Sequence, residues 1–167
     1  MILTQQQIQL KFNDHTSNPF SPTNGCCQGC PLPMLLYTIY NAPLICSVDK
    51  HNPKEQIVGF VDNTTLLTSG KDLDKTHANL KNMMECKNGV FNWSQAYNSP
   101  LEMNKLALVD FTHPHEKAKN AKPLILTQST GTGINVQTHQ IKPSPSAKLL
   151  GVILNEKLSW SAQHKRV

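Results

Sequence analysis

The chain has 167 residues, 38% hydrophobic and 16% charged, with sixteen Lys and Arg against eleven Asp and Glu for a net charge of +5. That length suits one domain with a modest core, or part of a larger one, and the basic balance suits a polyanionic partner without demanding one. No run approaches the ~18 apolar residues of a membrane span and the start carries no secretory signal pattern, so a membrane role is set aside and an intracellular chain is expected.

Taken in chain order, "TQQQIQLKF" alternates polar and apolar residues as a half-exposed strand does, and "NDHTSNPFSPTNG" is dense in turn formers. Asp14 falls in this loop. "PMLLYTIYNAPLI" is apolar on every side, which fits a buried helix opened at Pro33 and closed near Pro43.

"QIVGFV" and "TTLLTS" flank Asp62-Asn63 as two short strands around a two-residue loop, since Asp and Asn both tolerate the positive φ of tight hairpins. Ser69 with Asp72 gives an S-x-x-D helix start, after which Leu73, Leu80, Met84 and Phe91 fall on one helical side, with an end before Pro100. "LEMNKLALVDFTH" reads as a strand, and "SAKLLGVILNEKLSW" as a hairpin turning at Asn155-Glu156. The polar stretch His113 to Gly133 reads as an exposed connection. The expected order is strand, helix, hairpin, helix, strand, hairpin.

Five unevenly placed cysteines fit reduced thiols better than a disulfide framework. Cys27, Cys30, Cys46 and His51 can be written C-x2-C-x15-C-x4-H, a spacing open to structural zinc. The apolar stretch inside that spacing fits buried free thiols better. Gly131 and Gly133 form a G-x-G without strand-turn-helix context, hence a loop. The histidines are scattered and read as solvated, while Met83, Met84 and Trp93 read as packing residues.

Four stretches in one order resemble the reverse transcriptases of retrotransposons that lack long terminal repeats. "NGCCQGCPLPMLLYTIYNAPL" is similar to their G-x-P-Q-G-S-P-L-S-P-x-L-x-x-x-Y-x-x-x-L segment, with Gly25, Gln28, Gly29, Pro31, Leu32 and Leu35 in place and Cys27, Cys30 and Pro33 substituted. "GFVDNTTLL" looks like the F-V/A-D-D hairpin of the palm, and "EMNKLALVDF" like the following strand with its lysine at Lys105. "PSPSAKLLGVILNEKLSW" resembles the L-G-V-x-L-D-x-x-L-x-W hairpin that starts the thumb.

The resemblance implies an α+β fold: a partial right-hand polymerase palm, ferredoxin-like, with an antiparallel sheet backed by helices. Residues 1–112 would be a partial palm, 113–133 an exposed connection and 134–167 the start of a thumb hairpin. It also implies magnesium-dependent nucleotidyl transfer on an RNA or DNA template-primer. Asp62 would bind metal, the Asn63 position would assist, Gln28 and Gly29 would line the template and nucleotide pocket, and Lys105 would protonate pyrophosphate.

Departures from the family pattern put that activity in doubt. Asn63 replaces the second acid of the pair, and a unit charge lost beside a dication at ~5 Å and an effective dielectric of 20 is on the order of 6 kcal/mol. The family's first aspartate segment should lie several dozen residues before Gln28, yet only 27 residues precede it and Asp14 is their sole acid. The expectation is therefore a truncated, degenerate palm, inactive alone, with weak magnesium binding and weak non-specific nucleic-acid binding. An open sheet edge beside Asp62-Asn63 would invite self-association. A non-catalytic nucleic-acid-binding fragment and a zinc-binding interaction module are the alternatives.

Overall fold

The structure is a computed structural model and describes residues 7–21, 31–47, 53–112, 122–130 and 135–164. The chain divides into two compact units, Met1–Tyr40 and Asn41–Val167, with the boundary inside a helix. Helices and small antiparallel sheets make up both, an α+β composition; among the described residues no helix is long and apolar enough to cross a membrane.

In the first unit, β1 (Lys11–Phe12) and β2 (His15–Thr16) form a minimal ladder around Asn13-Asp14, with Asn13 at φ 52°. Asn is among the side chains that tolerate this left-handed region. Paired bonds between Ile8 and Phe20 extend the ladder outward, so the expected strand and loop are one short hairpin.

The helix α1 (Leu32–Ile45) begins in this unit and ends in the second. Pro33 sits in its first turn, where a missing N–H is harmless, but Pro43 does not end it: Cys46 N–H still donates to the Ala42 carbonyl at 2.9 Å. The expectation of a buried helix fails. Leu35 and Ile39 are 62% and 71% exposed, and of the whole helix only Asn41 and Leu44 are buried. Uniform apolarity signals burial only where a second apolar layer exists, and the described part of the first unit offers only the exposed β1–β2 ladder.

The second unit holds the core. β3 (Glu55–Phe60) pairs with β4 (Asn63–Thr68), placing Ile57 opposite Leu66 and Gly59 opposite Thr64 on the inner face. Ser69, expected to start the next helix, instead donates its N–H to the Lys54 carbonyl and prolongs the ladder. Asp72 then becomes the N-cap of α2 (Leu73–Glu85), accepting from the Asp74 N–H at 3.1 Å.

The expected single helix is two. α2 stops at Cys86, and α3 (Val90–Ala96) starts behind Gly89, whose N–H donates to the Cys86 carbonyl at 2.8 Å. A Cβ on Gly89 would lie 2.7 Å from the Met83 carbonyl oxygen and 2.9 Å from that of Met84. Only glycine lets the chain turn this closely over the end of α2. The turn brings Met83, Met84, Val90, Phe91 and Trp93 into one buried cluster with Leu44, Ile57, Leu108, Leu124 and Leu126.

The segment expected as a strand around Lys105 forms a single 3₁₀ turn (Met103–Lys105) and then runs extended, with one parallel bridge from Leu108 to Pro143. It buries Leu108, but its backbone bonds go to Ser144 and Glu156 rather than to a regular ladder. The stretch expected as an exposed connection contains β5 (Leu124–Thr130), whose Leu126 is 1% exposed; β5 pairs with β6 (Asn135–Ile141).

β7 (Ser146–Leu149) and β8 (Val152–Asn155) close the last hairpin before a single turn, α4 (Ser161–His164). Its turn is Leu150-Gly151, not Asn155-Glu156. Leu150 and Gly151 have φ of 48° and 91°, the two left-handed positions of a type I′ turn. Asn155 is engaged elsewhere, its Oδ1 accepting from the Ser159 N–H at 2.7 Å. All four described sheets are two-stranded, so the described residues show antiparallel ladders and helices rather than one continuous sheet.

Gly89→Ala is expected to destabilise the chain by about 3 kcal/mol, the upper end for a forced overpacking against backbone, whereas at exposed Asn88 a change to Ala should stay within ~1 kcal/mol. Urea denaturation of both variants measures the contrast.

Candidate functional site

Among the described residues, two of those singled out by the sequence, Asp62 and Asn63, stand together at the tip of the β3–β4 hairpin. Its inner face rests on the end of α1, where a Cβ on Gly59 would meet Ile45 Cδ1 at 2.8 Å and Asn41 Nδ2 at 3.3 Å. Glycine here permits the helix to approach the strand. The buried Asn41 donates to Thr64 Oγ1 at 3.4 Å, a long bond that still ties the helix to the strand just past the tip.

The ladder closes at Phe60 opposite Asn63, so the two loop residues are Val61 and Asp62. Asn63, expected in the loop, is the first residue of β4 and faces outward. The observed register sets Ile57 opposite Leu66, with Ile57 in the buried cluster and Leu66 packed against it. The left-handed backbone therefore falls on Val61, at φ 52°. For a β-branched residue this is an outlier that costs roughly 1–2 kcal/mol.

Asp62 is exposed, and its Oδ1 accepts from Asn63 Nδ2 at 3.1 Å. The amide thus presents its nitrogen, not its oxygen, to the carboxylate. A pair of acids here would repel until a dication joined them; an acid and an amide satisfy one another without one. Two magnesium ions need several hard oxygen ligands, and the donor set of Asp62 with an amide nitrogen facing it does not fit that requirement.

Lys105 is paired locally, within its own 3₁₀ turn. Its Nζ lies 2.7 Å from Glu102 Oε2 in an exposed i,i+3 pair, and neither a hydrogen bond nor an ion pair joins it to Asp62. The hydrogen bond to Glu102, then the charge of that carboxylate, raise the lysine pKa above its ordinary value. Gln28 and Gly29 lie outside the described residues, as do Cys27, Cys30 and His51. Cys46 is exposed, against the expectation of a buried thiol, and so is Cys86; each follows the last residue of a helix, at an open end. Among the described residues no three His, Cys, Asp or Glu side chains gather as a metal site.

A cavity of about 150 Å³ opens near the base of the hairpin, lined by Ser47, Glu55, Ile57, Asn82, Met83, Cys86 and Gly89. Its size suits a few water molecules and falls well short of the ~300 Å³ at which small-ligand pockets begin.

One polar pair escaped the sequence reading. His77 on α2 is buried, and its Nε2 lies 2.8 Å from Asp110 Oδ1, while Asp110 Oδ2 is buried without a partner among the described residues. The expectation of a solvated histidine is thereby corrected. The signal was present: His77 stands four residues after Leu73 and three before Leu80, in the middle of the apolar stripe of α2. The pair fastens α2 to the segment after Leu108 and is a structural fastening rather than an exposed acid-base site.

Comparison with protein-family models, with curated proteins and with solved structures gives no match.

Val61→Gly is expected to stabilise the chain by about 0.5–1 kcal/mol, the relief of left-handed strain less the added backbone entropy of glycine in the unfolded chain. A higher urea midpoint at unchanged slope is the signature.

Proposed function

We propose that this chain is a reverse-transcriptase-like palm element that no longer transfers nucleotides, with Glu55–Thr68 as the acid-bearing hairpin and Asp62 as its remaining carboxylate. The observation that carries this reading is the tip: Val61, a β-branched residue in left-handed backbone, immediately before an exposed acid in a two-residue turn. Stability alone would select Gly, Asn or Asp at that position. Strain kept against such easy alternatives is the mark of a position shaped by function. Together with the order of the four sequence stretches, it supports descent from a hairpin that once offered acids at its tip.

Loss of transfer follows from the chemistry of Asn63. An amide hydrogen-bonded to the lone acid contributes no charge to a metal and occupies one of its acceptor positions. Asp62 then has the role of an exposed polar cap on the turn.

Residual nucleic-acid affinity is supported by a separate feature. Trp160 is 61% exposed on a turn that also exposes Lys157, and the chain as a whole is basic. An exposed indole three residues after an exposed lysine suits stacking and phosphate contact on a single strand. Such binding would be weak and indifferent to sequence.

The chain is expected not to extend a primer on RNA or DNA with Mg²⁺ or Mn²⁺, and Asn63→Asp is expected to leave it inactive. Template-dependent extension that vanishes in Asp62→Ala would overturn this reading. Filter binding of single-stranded RNA should fall steeply between ~50 and 200 mM salt, as a few neutralised phosphates require. Tight binding kept at the higher salt would favour a dedicated recognition module.

A further inference from the structure

The outer edge of β5 carries an unusual pair of bonds. The Thr127 N–H donates to Glu85 Oε1 at the end of α2, and the Ser129 carbonyl accepts from Gln95 Nε2 on α3. Thr127 and Ser129 are two residues apart, so these groups point to the same side of the strand, away from the β6 partner. A neighbouring strand offers one acceptor and one donor at this spacing. Here a carboxylate and an amide from two helices supply them.

The strand they cover has the makings of a self-pairing hazard. "LILTQST", Leu124 to Thr130, is seven residues without charge, proline or glycine, and rich in β-branched side chains. Ile125 is 49% exposed beside the covered edge. An uncovered edge of this composition meets its best match in the same strand of another copy, since an antiparallel pairing centred on Thr127 satisfies both chains alike. The device recurs at β8, whose Ile153 N–H donates to Gln163 Oε1 at 3.0 Å.

We propose that Glu85 and Gln95 act as a surrogate neighbouring strand, closing an edge of β5 that otherwise pairs with the β5 of a second copy of this chain. The requirement is chemically polar. Position 85 must present an acceptor and position 95 a donor; charge at either is incidental. Lys81, whose Nζ lies 3.8 Å from Glu85 Oε1, is not part of the requirement.

The test uses a Thr127→Cys reporter, which keeps the backbone N–H, in the full-length chain. Isotopically light and heavy copies are mixed under mild oxidation, and mass spectrometry counts the mixed-isotope disulfide peptides that join position 127 of one copy to position 127 of another. The reporter alone should give little cross-link, and so should Glu85→Gln, which keeps an acceptor, and Lys81→Met. Gln95→Glu, which keeps size but points a second acceptor at the Ser129 carbonyl, should raise the cross-link at least tenfold, and Glu85→Ala likewise. Circular dichroism verifies that the two variants stay folded; if Glu85→Ala unfolds, Gln95→Glu against Glu85→Gln decides alone. Equal cross-linking in those two, or abundant cross-linking in the reporter itself, overturns the proposal.

Discussion

The apolar side of α2 is the contact on which the second unit depends. Among the described residues, α2 is the one helix that touches a strand of the first long hairpin, a strand of the second and its successor α3, and it buries Met83 and Met84 where these meet. Full burial of side chains of this size is worth about 1.5–3 kcal/mol each, so the pair supplies a large share of what a modest domain retains as net stability. The rest is arranged around that face. Gly89 folds α3 back over it, Leu124 and Leu126 come under it from β5, and Ile57 reaches it from β3. A change that rotated α2 would disconnect three elements at once.

Because the same helix is polar on its remaining sides, it also distributes hydrogen bonds. His77 leaves the apolar stripe to meet Asp110, Asp74 pairs with Lys122, and Glu85 satisfies a backbone donor on β5. The exposed pair with Lys122 adds little. The buried one matters more through what its removal would leave behind, an ionisable group stripped of both water and partner.

The sequence was legible where local chemistry decides and misleading where tertiary context does. Both hairpins predicted by composition exist, and the apolar periodicity of α2 marks its buried face. The turn assignments failed by a few residues: Asp-Asn and Asn-Glu look like turns, whereas the loops are Val61-Asp62 and Leu150-Gly151, the second with its glycine at a left-handed position. β-prone composition around Lys105 suggested a strand, but a strand exists only where a ladder accepts it. β5 was hidden for the opposite reason: it lies in a stretch whose flanks are polar, and its own seven residues became visible as a strand only against β6 and α2. At the candidate site, the identity of Asp62 and Asn63 could be read directly. Their separation between loop and strand, and the amide bond between them, could not, since register and side-chain direction are set by partners far along the chain.

Every regular ladder among the described residues joins strands that follow one another in the chain. This places the chain among those of low contact order at the level of its sheets, because each hairpin closes a short loop at small entropic cost and forms on its own within about microseconds. The long-range step is different in kind: Glu85 and Thr127, joined in the native state, are 42 residues apart. Docking of α2 on β5 closes a longer loop than any of the hairpins and carries the larger entropic cost. The last hairpin is likewise not left to itself: backbone bonds from Ser144 to Leu108 and from Thr112 to Glu156 join its two ends to a segment that enters the core.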